Sequence, residues 1–383
     1  MSGIYLHVPF CRTACHYCDF HFSTSLKRVD DYVEAVVAEI ALRAKGGDWS
    51  EELFTTLYLG GGTPSVLSED QTLKILSALK SYFSCHESWA EATIEVNPED
   101  VTEEALKGWL RLGFNRLSIG VQSFQNSQLE WMNRKHSAEE AKNAVELAFK
   151  VGFSRISIDL IYGLPGIEPG EWKQTVDVAL GLPIDHISCY SLTIEPRTVL
   201  GIRMSKGLEK EAPESLVEGD YNHICIAASE AGFEHYEVSN WSRGQKSRAV
   251  HNSSYWSGKP YLGLGAGAHG FKAMSRYSVV SNNPLYISSV LSGNLPDKTE
   301  SLTKKDRSNE LLMTRLRTAE GVDFNQLEKA YGFDHLSGNR DAWEKWLASG
   351  AIVKVGGPDD ARYKISEKAW LIGDTIASGF FLV

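Results

Sequence analysis

Cys11, Cys15 and Cys18 lie in the stretch Tyr5-Leu-His-Val-Pro-Phe-Cys-Arg-Thr-Ala-Cys-His-Tyr-Cys-Asp-Phe20, three thiols on one short loop near the start of the chain. A closed zinc site or a saturated iron-sulfur cluster takes four protein ligands. Three thiolates on a [4Fe-4S] cube leave one iron without a protein ligand, and an open metal position is where a substrate can coordinate. Zinc held by the three cysteines with His16 or His21 is the alternative, since thiolate and imidazole both suit that ion. A disulfide framework is not in view. The 6 cysteines of this 383-residue chain are scattered, unlike those of small secreted domains. Cys85, Cys189 and Cys225 stand alone and read as small packing hydrophobes.

A loop of this kind needs a scaffold, and the first 200 residues supply one. Short apolar runs at Ile4–Val8, Thr56–Leu59, Ala92–Val96, Arg116–Ile119, Arg155–Ile161 and His186–Leu192 end near Gly, Pro, Asn or Asp, as buried parallel strands do. Between them, Asp30–Ala44, Ser68–Tyr82, Thr102–Leu112, Ser137–Val151 and Glu171–Leu180 carry helical periodicity. Ser68 and Thr102 precede acidic pairs, which suit a helix N-terminus, and Gly113 and Gly152 are helix stops. Repeated strand-helix units predict an α/β fold with right-handed crossovers. Six strands predict a partial (β/α)6 barrel of TIM type, with its site at the C-terminal strand ends.

Those ends hold chemistry. The second strand runs into Gly60-Gly-Gly-Thr-Pro64, where glycines let backbone N–H groups approach a ligand. Glu95 and Asp159 lie inside apolar runs, where an unpaired carboxylate is expensive. Gln122 stands at the mouth of the fourth strand, and Arg134 follows in Met132-Asn-Arg134. The CxxxCxxC spacing with the GGGTP stretch resembles the radical S-adenosylmethionine (SAM) superfamily. That resemblance implies a [4Fe-4S] cluster on Cys11, Cys15 and Cys18, whose open iron binds the amino and carboxylate groups of SAM. It further implies SAM contacts from Tyr5, Tyr17, Gly61, Gly62, Thr63, Glu95, Gln122, Arg134 and Asp159.

The likeness extends through Glu234-His-Tyr-Glu-Val-Ser-Asn-Trp241, Leu262-Gly-Leu-Gly-Ala-Gly-Ala-His-Gly270 and Leu311-Leu-Met-Thr-Arg-Leu-Arg-Thr-Ala-Glu-Gly-Val322. It is similar to the oxygen-independent coproporphyrinogen III oxidase group, which has two branches. The decarboxylase branch carries an N-terminal arm and a further cysteine two positions after the third, where this chain has Phe20. His251-Asn-Ser-Ser-Tyr-Trp256 matches the HNxxYW motif of the HemW haem-chaperone branch. This implies three cofactors, the [4Fe-4S] cluster, SAM and haem, with His251 helping to hold the haem. Neutral imidazole is a common haem ligand, and Tyr255 and Trp256 offer flat apolar faces. His251 as a satisfied structural histidine is the competing reading, and His269 is a weaker haem candidate, its glycine-rich context reading as close packing beside the SAM site. The implied partners are a haem acceptor, membrane-associated in one version, an electron donor for the cluster, and a second copy in a homodimer. Whether the cluster drives turnover or instead governs oligomerisation or delivery stays open, and oxidative decarboxylation is the rival function.

Net charge −10 gives no electrostatic footprint for nucleic acid. The first residues lack the basic region and long apolar core of a signal peptide, and no stretch is apolar for long enough to span a bilayer. A cytoplasmic protein is expected. Three regions are expected: a barrel over 1–200, a connecting region over 201–299 that packs the HNxxYW motif on the barrel, and a winged-helix-like α+β region over 300–383. The last has helices through Leu311–Leu316, Gln326–Tyr331 and Trp343–Leu347, then a hairpin of Ala351–Val355 and Ala361–Ile365 around Gly356-Gly-Pro-Asp-Asp360. With an acidic chain, it reads as a lid or partner surface.

Overall fold

The computed structural model describes residues 2–356 and 360–382, so most of the expected hairpin turn lies outside the described residues. Six strands follow the chain in order: β1 (Ser2–Val8), β2 (Phe54–Gly61), β3 (Glu91–Val96), β4 (Arg116–Gln122), β5 (Ile156–Tyr162) and β6 (His186–Ser191). Each pairs in parallel with the next. Five of the helices between them fall where periodicity places them, and a short sixth, Asn126–Trp131, was not expected. Glu69–Tyr82 starts on a capping box in which Ser68 and Gln71 satisfy each other's backbone, and Ala138–Val151 starts on the same device from Ser137 and Glu140. Gly152 ends the latter helix at φ 118°, a left-handed turn that suits glycine.

The strands obey their two-residue period with an unusual division of labour. One face is apolar: Ile4, Leu6, Leu57, Leu59, Ile94, Leu117, Ile119, Ile158 and Leu160 are buried in one core with Val36, Ile40, Ile75, Leu79 and Leu106 of the helices. The alternate positions are polar yet also buried, among them Thr56, Glu91, Thr93, Arg116, Ser118, Ser157, His186 and Ser188. Hydrophobic runs alone do not announce such an interior. Of these polar residues, Arg116, Ser118 and Ser188 line a cavity, while others are packed and hydrogen-bonded, Ser157 with His186 at 2.7 Å and Thr56 with His251 at 2.9 Å.

Beyond the six strands the sheet continues on both sides. Strands β7 (Glu234–Glu237) and β8 (Asn240–Ser242) extend it antiparallel from β6. On the other side β9 (Tyr261–Leu264) pairs in parallel with β1, followed by β10 (His269–Lys272), β11 (Ser275–Val279) and β12 (Asp297–Ser301). Among the described residues, twelve strands thus form one open sheet, and the expected glycine-rich segment is part of it. That segment does not line the cleft. Gly263 sits against the His269 carbonyl, where an added Cβ would lie 1.8 Å from the oxygen. Helix Lys304–Leu316, strand β13 (Val322–Asp323), helices Phe324–Tyr331 and Arg340–Ala348, and the antiparallel pair β14 (Ile352–Lys354) and β15 (Arg362–Ile365) follow in a winged-helix-like order. Among the described residues, no helix is long and apolar enough to cross a membrane.

Candidate functional site

The cysteine loop is held from three sides. From below, the amide of Gly62 donates to the Val8 carbonyl at 3.0 Å and that of Thr63 to Phe10 at 2.8 Å, so the glycine turn after β2 grips the chain just before Cys11. Gly62 leaves no room for a side chain: an added Cβ would fall 2.7 Å from the Phe10 carbonyl oxygen. From the side, segment 131–134 clasps the loop. The His16 amide donates to Met132 at 3.1 Å, the His16 ring pairs with the Trp131 carbonyl at 2.7 Å, and Asn133 donates its side-chain amide to Ala14 at 2.7 Å. Asn133 does this at φ 61°, a left-handed conformation that costs a non-glycine residue energy. Further along, the amide of Leu200 donates to the His16 carbonyl at 2.8 Å.

Cys11, Cys15 and Cys18 are half-buried and line one cavity of about 620 Å3 with Tyr17, Phe20, Gly61, Gly62 and Thr63. Glu95, Gln122, Arg134 and Asp159 line the same cavity. The donor set fits a three-thiolate cluster. Burial pushes the Cys11 and Cys18 thiols up to about 11, so they stay protonated until a cation replaces the proton. The Thr63 hydroxyl lies 3.4 Å from Cys11 Sγ and Arg134 Nη1 lies 3.5 Å from Cys15 Sγ, groups suited to donate to thiolates. The zinc alternative loses its fourth ligand. His16 and His21 do not line the cavity, and His21 Nε2 pairs with Asn283 at 2.7 Å.

Across the cavity two half-buried carboxylates face an arginine. Glu95 accepts from the Tyr58 hydroxyl at 2.6 Å and from the Gly61 amide at 3.2 Å. Burial first, then the nearby Asp159 charge, pushes its carboxyl up to about 7 against the pull of the Tyr58 bond. Asp159, which accepts from Ser118 at 3.2 Å, is also raised by burial. Arg134 donates through Nη2 to Asn97 at 2.7 Å and to the Gly120 carbonyl at 2.6 Å. Burial opposes its charge, yet the Tyr17 and Cys15 groups hold the guanidinium above its ordinary value, and its buried Nε has no partner. Gln122 reaches the cavity from φ 68°, a second strained residue at the rim. The cavity thus offers carboxylates for an ammonium or ribose hydroxyls, a guanidinium for a carboxylate, and backbone amides beside three thiols.

Two expected residues stand elsewhere. Tyr5 packs behind the wall, its ring 6.1 Å from that of Tyr58 and its hydroxyl 3.0 Å from His7 Nδ1. His251 is fully buried in helix Val250–Trp256, below the N-terminal ends of β2 and β3. Its Nδ1 pairs with Thr56 at 2.9 Å, its Nε2 with Tyr255 at 2.7 Å, and its ring stacks under Tyr58 at 5.3 Å. Burial lowers the imidazole to about 4, so it is neutral. With both nitrogens engaged, this conformation does not fit an axial ligand, and bonding to iron requires the ring to leave Thr56 or Tyr255. His269 is exposed on β10. Tyr58, Asn97, Arg116, Ser118 and Tyr190 line the cavity without having been singled out in the sequence. The period-two spacing Thr56, Tyr58, Gly60 was the available signal for Tyr58.

A model of the radical SAM superfamily matches residues 5–179. The chain is 35% identical to the haem chaperone HemW of Bacillus subtilis (strain 168), over 87% of each protein. It is 30% identical to the haem chaperone HemW of Escherichia coli (strain K12), over 89% of this chain and 93% of that protein. The solved structure of coproporphyrinogen III oxidase (HemN) from Escherichia coli, a radical SAM enzyme, shares the fold. The TM-score is 0.83 at 21% identity, covering 99% of this chain and 89% of that one. With relatives of this identity along most of its length, the chain belongs to the HemW family of the radical SAM superfamily.

Proposed function

We propose that the protein is a cytoplasmic haem chaperone that binds a [4Fe-4S] cluster, SAM and haem and passes haem to an acceptor protein. Family membership supports the haem role. The observation that carries the cofactor role is the convergence of three thiols, Glu95, Asp159 and Arg134 on one cavity at the strand ends. Cys11, Cys15 and Cys18 would hold the cluster, which supplies an open iron and one-electron chemistry when bound. Glu95 and Asp159 would accept hydrogen bonds from cationic or hydroxyl groups of SAM. Arg134 would offer its guanidinium charge to a carboxylate, and the Gly61–Thr63 backbone would wall the amino-acid end. The electron donor, the acceptor and a homodimeric state belong to the same reading, as does a lid or partner role for the region from 300.

Anaerobic reconstitution followed by haem titration tests the proposal. A Soret shift that saturates at a fixed haem-to-chain ratio is expected, and no shift would sink the haem role. The rival function is oxidative decarboxylation of a porphyrinogen propionate, which the shared fold with coproporphyrinogen III oxidase keeps in play. Formation of protoporphyrinogen from coproporphyrinogen III in the same anaerobic preparation would establish that rival.

A further inference from the structure

Away from the cavity, at the β7 edge of the sheet, three metal-ligating side chains from distant parts of the chain converge. Cys225 comes from helix Glu214–Glu230, His235 from β7, and Glu367 from the short 3-10 helix Glu367–Ile372 beyond β15. Their ligand atoms all lie within 4.8 Å of one another. Cys225 Sγ is 3.8 Å and Glu367 Oε1 2.5 Å from the same ring nitrogen, His235 Nδ1.

The surroundings orient that nitrogen. The His235 ring stacks on Trp241 at 3.9 Å and meets the edge of Trp370 at 4.2 Å, so it cannot rotate freely. Its Nε2 faces the Val238 carbonyl at 3.4 Å, an acceptor that calls for a proton on Nε2. Without a metal the 2.5 Å contact puts a proton between Nδ1 and Glu367; with the imidazole proton on Nε2 alone, the Nδ1 lone pair is free to face a cation beside the thiol and the carboxylate. Three possible ligand atoms thus converge on one point, and a carbonyl that fixes the far side of the imidazole is the usual companion of a metal-bound histidine.

We propose that Cys225, His235 and Glu367 form a zinc site that clamps the C-terminal region to the β7 edge of the sheet. One thiolate, one imidazole and one carboxylate suit zinc, and three protein ligands leave its fourth tetrahedral position to water. Bond lengths of about 2.0–2.3 Å place neighbouring donors roughly 3.3–3.8 Å apart. The Cys225–His235 pair already has that spacing, and Glu367, about half exposed, has room to draw back from His235. Binding displaces the Cys225 proton to solvent, so occupancy falls with falling pH. The Tyr221 hydroxyl, which donates to the Glu367 carbonyl at 3.1 Å, pins the turn that carries the third ligand.

The test uses the full chain with its cluster reconstituted, so that iron analysis reports the barrel thiolates as filled. After zinc sulfate is added and excess removed by gel filtration, one zinc per chain is expected, with a higher melting temperature. Zinc-edge X-ray absorption should then show one sulfur neighbour, against the three that binding at the cysteine loop would show. Cys225→Ser should remove that sulfur, and Glu367→Gln should weaken zinc binding by about tenfold or more. Glu367 lies at the surface, so its variant keeps the experiment decisive if Cys225→Ser fails to fold. No retained zinc, or zinc affinity unchanged from the unsubstituted protein in both variants, would overturn the site and leave a plain His235–Glu367 hydrogen bond.

Discussion

Glu95 answers two opposed demands. Its place between Tyr58 and Gly61 fixes the carboxylate oxygens toward the cavity, while burial favours the neutral acid and raises its titration to about 7. Folding of the ligand-free protein therefore takes up a proton between the ordinary carboxylate range and pH 7. By linkage, the Glu95 contribution to stability is present at acid pH and lost as pH rises through that window. SAM binding, if Glu95 accepts from it, runs the other way. At pH 6 only about a tenth of such a group is ionised, so affinity in calorimetric titrations should rise about tenfold between pH 6 and pH 8. In Glu95→Gln that pH dependence should vanish, while the iron content stays at the wild-type level. His251 makes a different prediction at the same scale. Removing a fully buried ring with two hydrogen bonds and a stacked tyrosine should cost about 2–4 kcal/mol in His251→Ala. Urea denaturation measures this, and an unchanged midpoint would show that the ring is not the keystone its contacts describe. A lost Soret shift in that variant counts toward haem ligation only if the denaturation midpoint has been preserved, for instance in His251→Gln.

The strand that carries the cysteine loop is secured by one that follows it by more than 250 residues. Strand β9 pairs with β1 from Gly3↔Tyr261 to Leu6↔Leu264, and it lies there only because Gly263 lets the His269 backbone come into contact. Gly263→Ala pushes a methyl group into that carbonyl, which neither backbone can evade without breaking the pairing. A loss of about 2–3 kcal/mol is expected, the scale of overpacking in a tight interior. Reconstituted iron should fall with it, because β1 leads directly into Pro9, Phe10 and Cys11. Elements of this type mark the boundary of what was legible in the chain. Local signals placed the six strands and five of the six helices between them: apolar runs, the Ser68 and Thr102 caps, and Gly152. The carboxylates Glu95 and Asp159 stood out because acids are rare in such runs. Pairings between distant and very short segments carry no local signature, so β7 to β12 were read as a connecting region. The strained turns at Gln122 and Asn133, and the burial of His251, depend on what the folded chain packs against them.

At the scale of the molecule, the HNxxYW segment connects two regions. Its N-terminal end lies against the barrel: the amides of Val250 and His251 donate to buried Glu91 at 2.8 and 2.9 Å, and Asn252 lines the cavity. Its C-terminal end faces the other way, where the Arg317 guanidinium lies over the Trp256 ring at 5.5 Å. Arg248, just before the helix, pairs with Glu320 on the same side. From cavity to helix the path is short: Glu95 holds the Tyr58 hydroxyl, and the Tyr58 ring stacks on His251. A ligand that takes hydrogen bonds to Glu95 stiffens Tyr58, and with it the imidazole beneath. The amides of Val250–Trp256 should therefore exchange hydrogen more slowly when SAM is added to cluster-loaded protein. Tyr58→Phe separates this from general stabilisation, since it keeps the stacked ring and removes only the hydroxyl that reaches Glu95. In that variant SAM should still bind, within about tenfold of wild type, allowing for one lost hydrogen bond. The protection of Val250–Trp256 should drop toward its ligand-free level, while that of β2 and β3 is retained. Equal protection of the helix in both proteins would mean that the cavity and the C-terminal region respond to SAM independently.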